Sequence, residues 1–126
     1  MSQTSQQIQF EHKWRLFGFV AEAYGITFKT TCFLRTSQQQ QALYAQGRTK
    51  PGKIVTNIDG VLSHSMHEYG RAADIVIIDS VGNPVWAHTK EYDLLGELWE
   101  RMGGRWLGTA YKKGLISFDD IYHFEL

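Results

Sequence analysis

The 126-residue sequence contains a single cysteine, Cys32, so no internal disulfide braces the fold and no oxidising compartment is required for folding. Excess charge of either sign is also missing: 13 basic residues balance 13 acidic ones. That balance offers no electrostatic footprint for nucleic acid and no attraction to an anionic membrane. No apolar run approaches the roughly 18 residues of a membrane span. Met1 to Gln7 lacks the basic region and apolar stretch of a secretory signal. The expectation is a protein made in the cytoplasm, which reaches another compartment only if something else releases it. Internal repeats and long linkers are absent too, so residues 1–126 read as one domain.

What is present is a core. The hydrophobic fraction is 43% and there are four tryptophans, enough for a chain of this length to bury roughly 65–70% of its unfolded surface. Ile8, Trp14, Phe17, Val20, Ala21 and Tyr24 recur at three- and four-residue spacing, which predicts an amphipathic helix ending at Gly25. Ile26 to Leu34 is rich in β-branched and aromatic residues and predicts a strand, with Cys32 as a buried inert thiol inside it. Ser37 is placed to cap a second helix running to Gln46 and closed by Gly47. Arg48 to His64 reads mostly as loop. Ala73 to Asp79 predicts a buried strand, Ser80 to Asn83 a turn, and Val85-Trp86 a short strand. Leu94, Leu95, Leu98, Trp99 and Met102 form a helical stripe stopped by Gly103-Gly104, and Tyr122 to Glu125 reads as a short strand. Helices and strands mix without βαβ regularity. The expected class is α+β, with helices packed on a small, largely antiparallel sheet.

Chemistry concentrates in two stretches. Ser65 to Asp74 reads S-x-H-x-x-G-x-A-x-D, and Asp120-Ile121-Tyr122-His123 lies near the C-terminus. Gly70 permits a tight bend that folds His67 back beside Asp74. His123 reaches the same point if the two strands that carry these residues are neighbours. Two imidazoles and a carboxylate make a metal triad with a position left open for reaction. Structural or exposed histidines remain the alternative at this point. His12, His64 and His88 fall outside the patterned segments.

Four ordered stretches carry a family resemblance over about residues 8 to 126. Ser65–Asp74 resembles the metal signature of the superfamily of zinc D-alanyl-D-alanine carboxypeptidases and L-alanyl-D-glutamate endopeptidases, often grouped with the hedgehog-type zinc fold. Arg35-Thr36-Ser37 with Gln40, Leu43 and Tyr44 resembles its R-[ST]-x-x-x-Q-x-x-L-[YF] segment. Leu43 to Gly52 resembles a stretch of phage lytic peptidases, and Asp120 to Glu125 resembles the closing D-x-P-H-F-E element. Two positions depart from the pattern. Tyr122 stands where proline is common, and Arg105 interrupts a G-G-[DN]-W element at Gly103 to Trp106.

The resemblance implies zinc held by His67, Asp74 and His123. It implies Asp120 as general base, the alternative being a turn acid like Asp119 beside it. Arg35 corresponds to an arginine that steadies the substrate carbonyl, or else is a solvated strand end. Ser65 and Gln40 correspond to substrate-binding positions, although Ser65 also suits a loop cap and Gln40 suits support of Arg35. Glu125 either orients a ligand or lies at the surface. The implied substrate is the bacterial cell-wall stem peptide, cut between L-alanine and D-glutamate. An aspartate at 120 resembles endolysin-like members, whereas dipeptidase members use glutamate. The expectation is a monomeric phage or prophage endolysin, made in the host cytoplasm and released to the wall through a separate holin. A D,D-carboxypeptidase or dipeptidase, and an inactive zinc-binding phage structural module, are the competing expectations.

Overall fold

The apolar run beginning at Ala72 becomes the central strand of an antiparallel sheet, where neighbours on both edges satisfy its backbone N–H and C=O groups while its apolar side chains are buried. The computed structural model describes residues 4–126. Its elements are α1 (Ser5–Ala23), β1 (Thr27–Cys32), α2 (Ser37–Ala45), β2 (Ala72–Ile78), β3 (Pro84–Val85), α3 (Lys90–Arg101), β4 (Arg105–Trp106), α4 (Leu107–Lys112) and β5 (His123–Glu125). The sheet runs β1-β2-β5-β4, with β3 paired to β2. The architecture is α+β, as expected.

Two features of register position the site. β5 pairs with β2 so that His123 faces Asp74 across the ladder. Between Thr30 and Cys32 the β1–β2 register slips, so that Cys32 as well as His123 stands opposite Asp74. The adjacency of the two ligand-bearing strands, which periodicity leaves open, is therefore set by the sheet.

Beneath the sheet, Phe10 and Phe17 of α1, fully buried, meet Trp99 of α3. Rings of Phe10, Trp14 and Phe17 lie 5.2 to 5.8 Å from that of Trp99, and Phe17 is 5.5 Å from Phe124 of β5. Each such side chain withdrawn from water contributes about 1.5–3 kcal/mol. The α3 stripe is core, as its spacing predicts.

Three local findings differ from expectation. Thr36, not Ser37, caps α2, because Thr36 and Gln39 complete a reciprocal capping box. Cys32 is half-buried rather than enclosed. β4 and α4 carry no periodic signal, being two and six residues long. β4 is held by its pairing with β5, and the Trp106 indole lodges between two glycines. A Cβ on Gly96 would stand 2.1 Å from that ring, and one on Gly108 2.4 Å. Trp106 Nε1 in turn donates to the Ile121 carbonyl at 2.8 Å, pinning the turn that enters β5.

Candidate metal centre

His67 sits in a tight turn between the long loop and β2. Glu68, Tyr69 and Gly70 donate backbone N–H groups to Ser65, Met66 and His67, and Gly70 takes φ +67, the left-handed conformation anticipated for the bend. The imidazole is 1% exposed. Its Nδ1 lies 2.9 Å from the Phe33 carbonyl. A carbonyl only accepts, so Nδ1 carries a proton and Nε2 is the nitrogen left to bind a metal. Nε2 faces Asp74 Oδ1 at 3.2 Å.

Asp74 and His123 complete the group. His123 Nδ1 is 3.3 Å from the same Asp74 oxygen. On its other side, His123 Nε2–H donates to Glu125 Oε1 at 2.8 Å. Glu125 thus orients the imidazole, rather than lying idle at the surface. Burial alone would raise the Asp74 carboxyl, but the His123 and His67 imidazoles outweigh it and hold it well below the usual carboxylate range. Burial would likewise lower His123, yet Asp74 and Glu125 push it up to about 9.

The donor set fits zinc. Among the described residues, His67 Nε2 and Asp74 Oδ1 are buried without a hydrogen bond of proper geometry, although they stand 3.2 Å apart. Polar atoms left so are costly unless something else engages them. Ligands about 2.0–2.1 Å from a tetrahedral centre stand roughly 3.3 Å from one another, which matches separations of 3.2 and 3.3 Å. Cys32 also presents a donor within 4.8 Å of His67 and Asp74. Its sulfur, however, approaches His67 at Nδ1, the nitrogen committed to Phe33, and accepts from Arg35 at 3.4 Å. The triad with His123 is the better donor set.

A cleft of about 820 Å³ opens onto the triad, and Arg35, Ser65, His67, Asp74, Asp120 and His123 all line it. Burial raises the Asp120 carboxyl and nearby Asp74 adds to the effect, while the positive charge on His123 opposes it. Arg35 Nη2 reaches to 3.8 Å from Asp74 Oδ2. Ser65 is buried, and its hydroxyl accepts the His67 backbone N–H at 3.3 Å. Gln40 corrects the expectation of a substrate contact. It is 0% exposed, accepts from Arg35 Nη1 at 2.7 Å, and donates to Thr56 and to the Ile58 carbonyl. With its amide fully engaged, Gln40 positions Arg35.

The two departures from the family pattern have structural partners. Tyr122, lacking the fixed φ of proline, is tethered by its hydroxyl to the Trp86 carbonyl. Arg105 lies 3.7 Å from Glu125, behind His123. The Phe33 carbonyl that orients His67 leaves no side-chain signal in the sequence. The pairing of His88 with Asp119, 31 positions apart, leaves none either.

No family model matches the chain. It is 41% identical over 112 residues to the peptidoglycan L-alanyl-D-glutamate endopeptidase CwlK of Bacillus subtilis strain 168, over 81% of this chain and 62% of that protein. The chain therefore spans less than two thirds of that relative's length. Among solved structures it resembles a zinc-bound mutant of the vancomycin resistance D,D-pentapeptidase VanY from a VanB-type cassette. There the TM-score is 0.65 at 19% identity, over 98% of this chain and 76% of the other. The fold is that of the zinc D,D-peptidases, and the donor set suits the same metal. In sequence and in fold the chain is similar to the superfamily of zinc D-alanyl-D-alanine carboxypeptidases and L-alanyl-D-glutamate endopeptidases.

Proposed function

We propose that this protein is a zinc-dependent peptidoglycan hydrolase that cuts the stem peptide between L-alanine and D-glutamate. The observation that carries the reading is the cleft itself, where His67, Asp74 and His123 converge and Asp120 and Arg35 line the same space. Zinc in such a site supplies Lewis acidity and makes water acidic near neutral pH.

The chain's own groups perform the rest. Asp120, raised by burial, takes a proton from the attacking water as its oxygen bonds the scissile carbonyl carbon. As the C–N bond breaks, Asp120 returns that proton to the leaving amine. Arg35, held by Gln40, donates to the carbonyl oxygen as negative charge develops there. Glu125 keeps the His123 ring in place, and the Ser65 hydroxyl supplies a polar contact in the cleft wall.

The endopeptidase reading rests on the likeness to the Bacillus relative and on aspartate at position 120. We extend it to a phage or prophage endolysin, held in the host cytoplasm and passed to the wall through a separate holin. Mass spectrometry of digested peptidoglycan tests the bond. Stem peptides beginning at D-glutamate, with L-alanine left on the glycan, are expected. Free D-alanine as the sole product would instead establish the D,D-carboxypeptidase reading, which the Arg35 cation in the cleft also suits. For the endolysin role, cells expressing the protein should lyse only once the inner membrane is permeabilised. Asp120→Ala that clears walls as fast as the parent would remove Asp120 from the mechanism.

A further inference from the structure

Asp120 lines the cleft, but its neighbour Asp119 directs its carboxylate to His88. His88 Nδ1 stands 2.6 Å from Asp119 Oδ2, and His88 Nε2 stands 2.7 Å from Asp93 Oδ1 in the first turn of α3. Lys112, the last residue of α4, donates to the same Asp93 oxygen at 3.2 Å. The His88 ring meets the Trp106 indole edge-on at 6.1 Å, and that indole holds the Ile121 carbonyl. The residues on either side of Asp120 are therefore both anchored, Asp119 by a side chain and Ile121 by its backbone.

We propose that His88 is a positioning residue for the reaction, a doubly donating imidazolium that clamps the Asp119-Asp120 turn to α3 so that Asp120 stays aimed at the metal triad. The inference rests on the function proposed above. A neutral imidazole carries one N–H and can donate to only one carboxylate, so the bridge requires the protonated ring. Asp93 and Asp119 raise the His88 pKa, with burial opposing slightly. The charged groups facing the ring are Asp93 from α3 and Asp119 from the turn, with Lys112 of α4 acting through Asp93. As pH rises through the raised value, one of the two bonds is lost and the turn loosens. A misplacement of about 1 Å costs on the order of 100-fold in rate.

The test compares the zinc-loaded parent with His88→Gln and His88→Arg, measuring zinc content, kcat and KM on purified wall against pH, and amide hydrogen exchange over residues 119–123. The amides of Asp120 and His123 are hydrogen-bonded within the turn and report on it directly. His88→Gln is expected to keep its zinc and KM, to lose roughly 10- to 100-fold in kcat, and to exchange these amides at least about tenfold faster. His88→Arg, permanently charged, should recover most of the rate and hold it at alkaline pH where the parent declines. Parental kcat, pH profile and exchange in His88→Gln would overturn the clamp. Should the parent cut no wall, the proposed function falls, and exchange alone decides the clamp: faster in His88→Gln and restored in His88→Arg upholds it, equal rates refute it. If His88→Gln does not fold, Asp93→Asn replaces it, with the same faster exchange expected and an unchanged turn counting against the proposal.

Discussion

Zinc binding should be strongly proton-linked, and the size of the effect follows from His123. In the metal-free site, Asp74 and Glu125 overcome the effect of burial and push this imidazole up to about 9. At pH 7 roughly one molecule in a hundred then has a neutral ring ready to bind. Zinc must displace that proton, so apparent affinity is expected to rise about tenfold per pH unit from about pH 6.5 to 8.5. Asp74 adds no competition in this range, because it is held well below the usual carboxylate value. Calorimetry in buffers of different ionisation enthalpy should count about one proton released per zinc at pH 7, and water on the zinc, titrating near 7, can only add to that number. The metal-free protein carries the matching signature. Its His123 is raised in the folded state, so the resulting stability is full below about 6.5 and is lost as pH rises through about 9. Metal-free Tm should fall over that window while zinc-loaded Tm does not fall with it. An affinity independent of pH between 6.5 and 8.5, with no proton released, would refute the assignment of His123 as a ligand held between Asp74 and Glu125.

Three further outcomes are expected. Asp120→Asn should lower kcat by about 100- to 10,000-fold while zinc stoichiometry stays at one, measured by wall-clearing kinetics beside metal analysis. Glu125→Ala should weaken zinc binding by about 10- to 100-fold, best measured near pH 8.5 where protons compete least, since it removes the hydrogen bond that orients His123. Gly96→Ala in α3, ordinarily stabilising by about 1 kcal/mol in a helix, should instead cost about 1–3 kcal/mol in chemical denaturation. The new Cβ would meet Trp106 at 2.1 Å.

Long elements were legible because their signals are local. The α3 stripe, the apolar run of β2 and the glycine stop after α1 each follow from spacing within one segment. The cap of α2 was off by one residue, since Ser37 and Thr36 compete for the same role and only the Gln39 side chain decides between them. β4 and α4 were not legible: too short for periodicity, they are shaped by the fit of Trp106 between Gly96 and Gly108. At the site, Gln40 and Arg35 have matching spacing in the sequence, but that spacing cannot say that burial turns Gln40 away from substrate. His88 and Asp119 carried no pattern at all, because ion pairs across 31 positions leave no local trace.

By itself, the sequence determined the donor types, the turn that bends His67 towards Asp74, and the α+β alternation of its segments. These follow from side-chain chemistry and short-range backbone preference, which need no partner. The tertiary structure decided which strands are neighbours, and with that the pairing of His123 against Asp74, the Glu125 and Phe33 contacts that orient the two imidazoles, and the bridge from His88 to the turn of Asp120. Strand order and long-range hydrogen bonds depend on how aromatic surfaces from α1, α3 and β5 close on one another. That closure is a property of the whole packed chain and is written in no single segment.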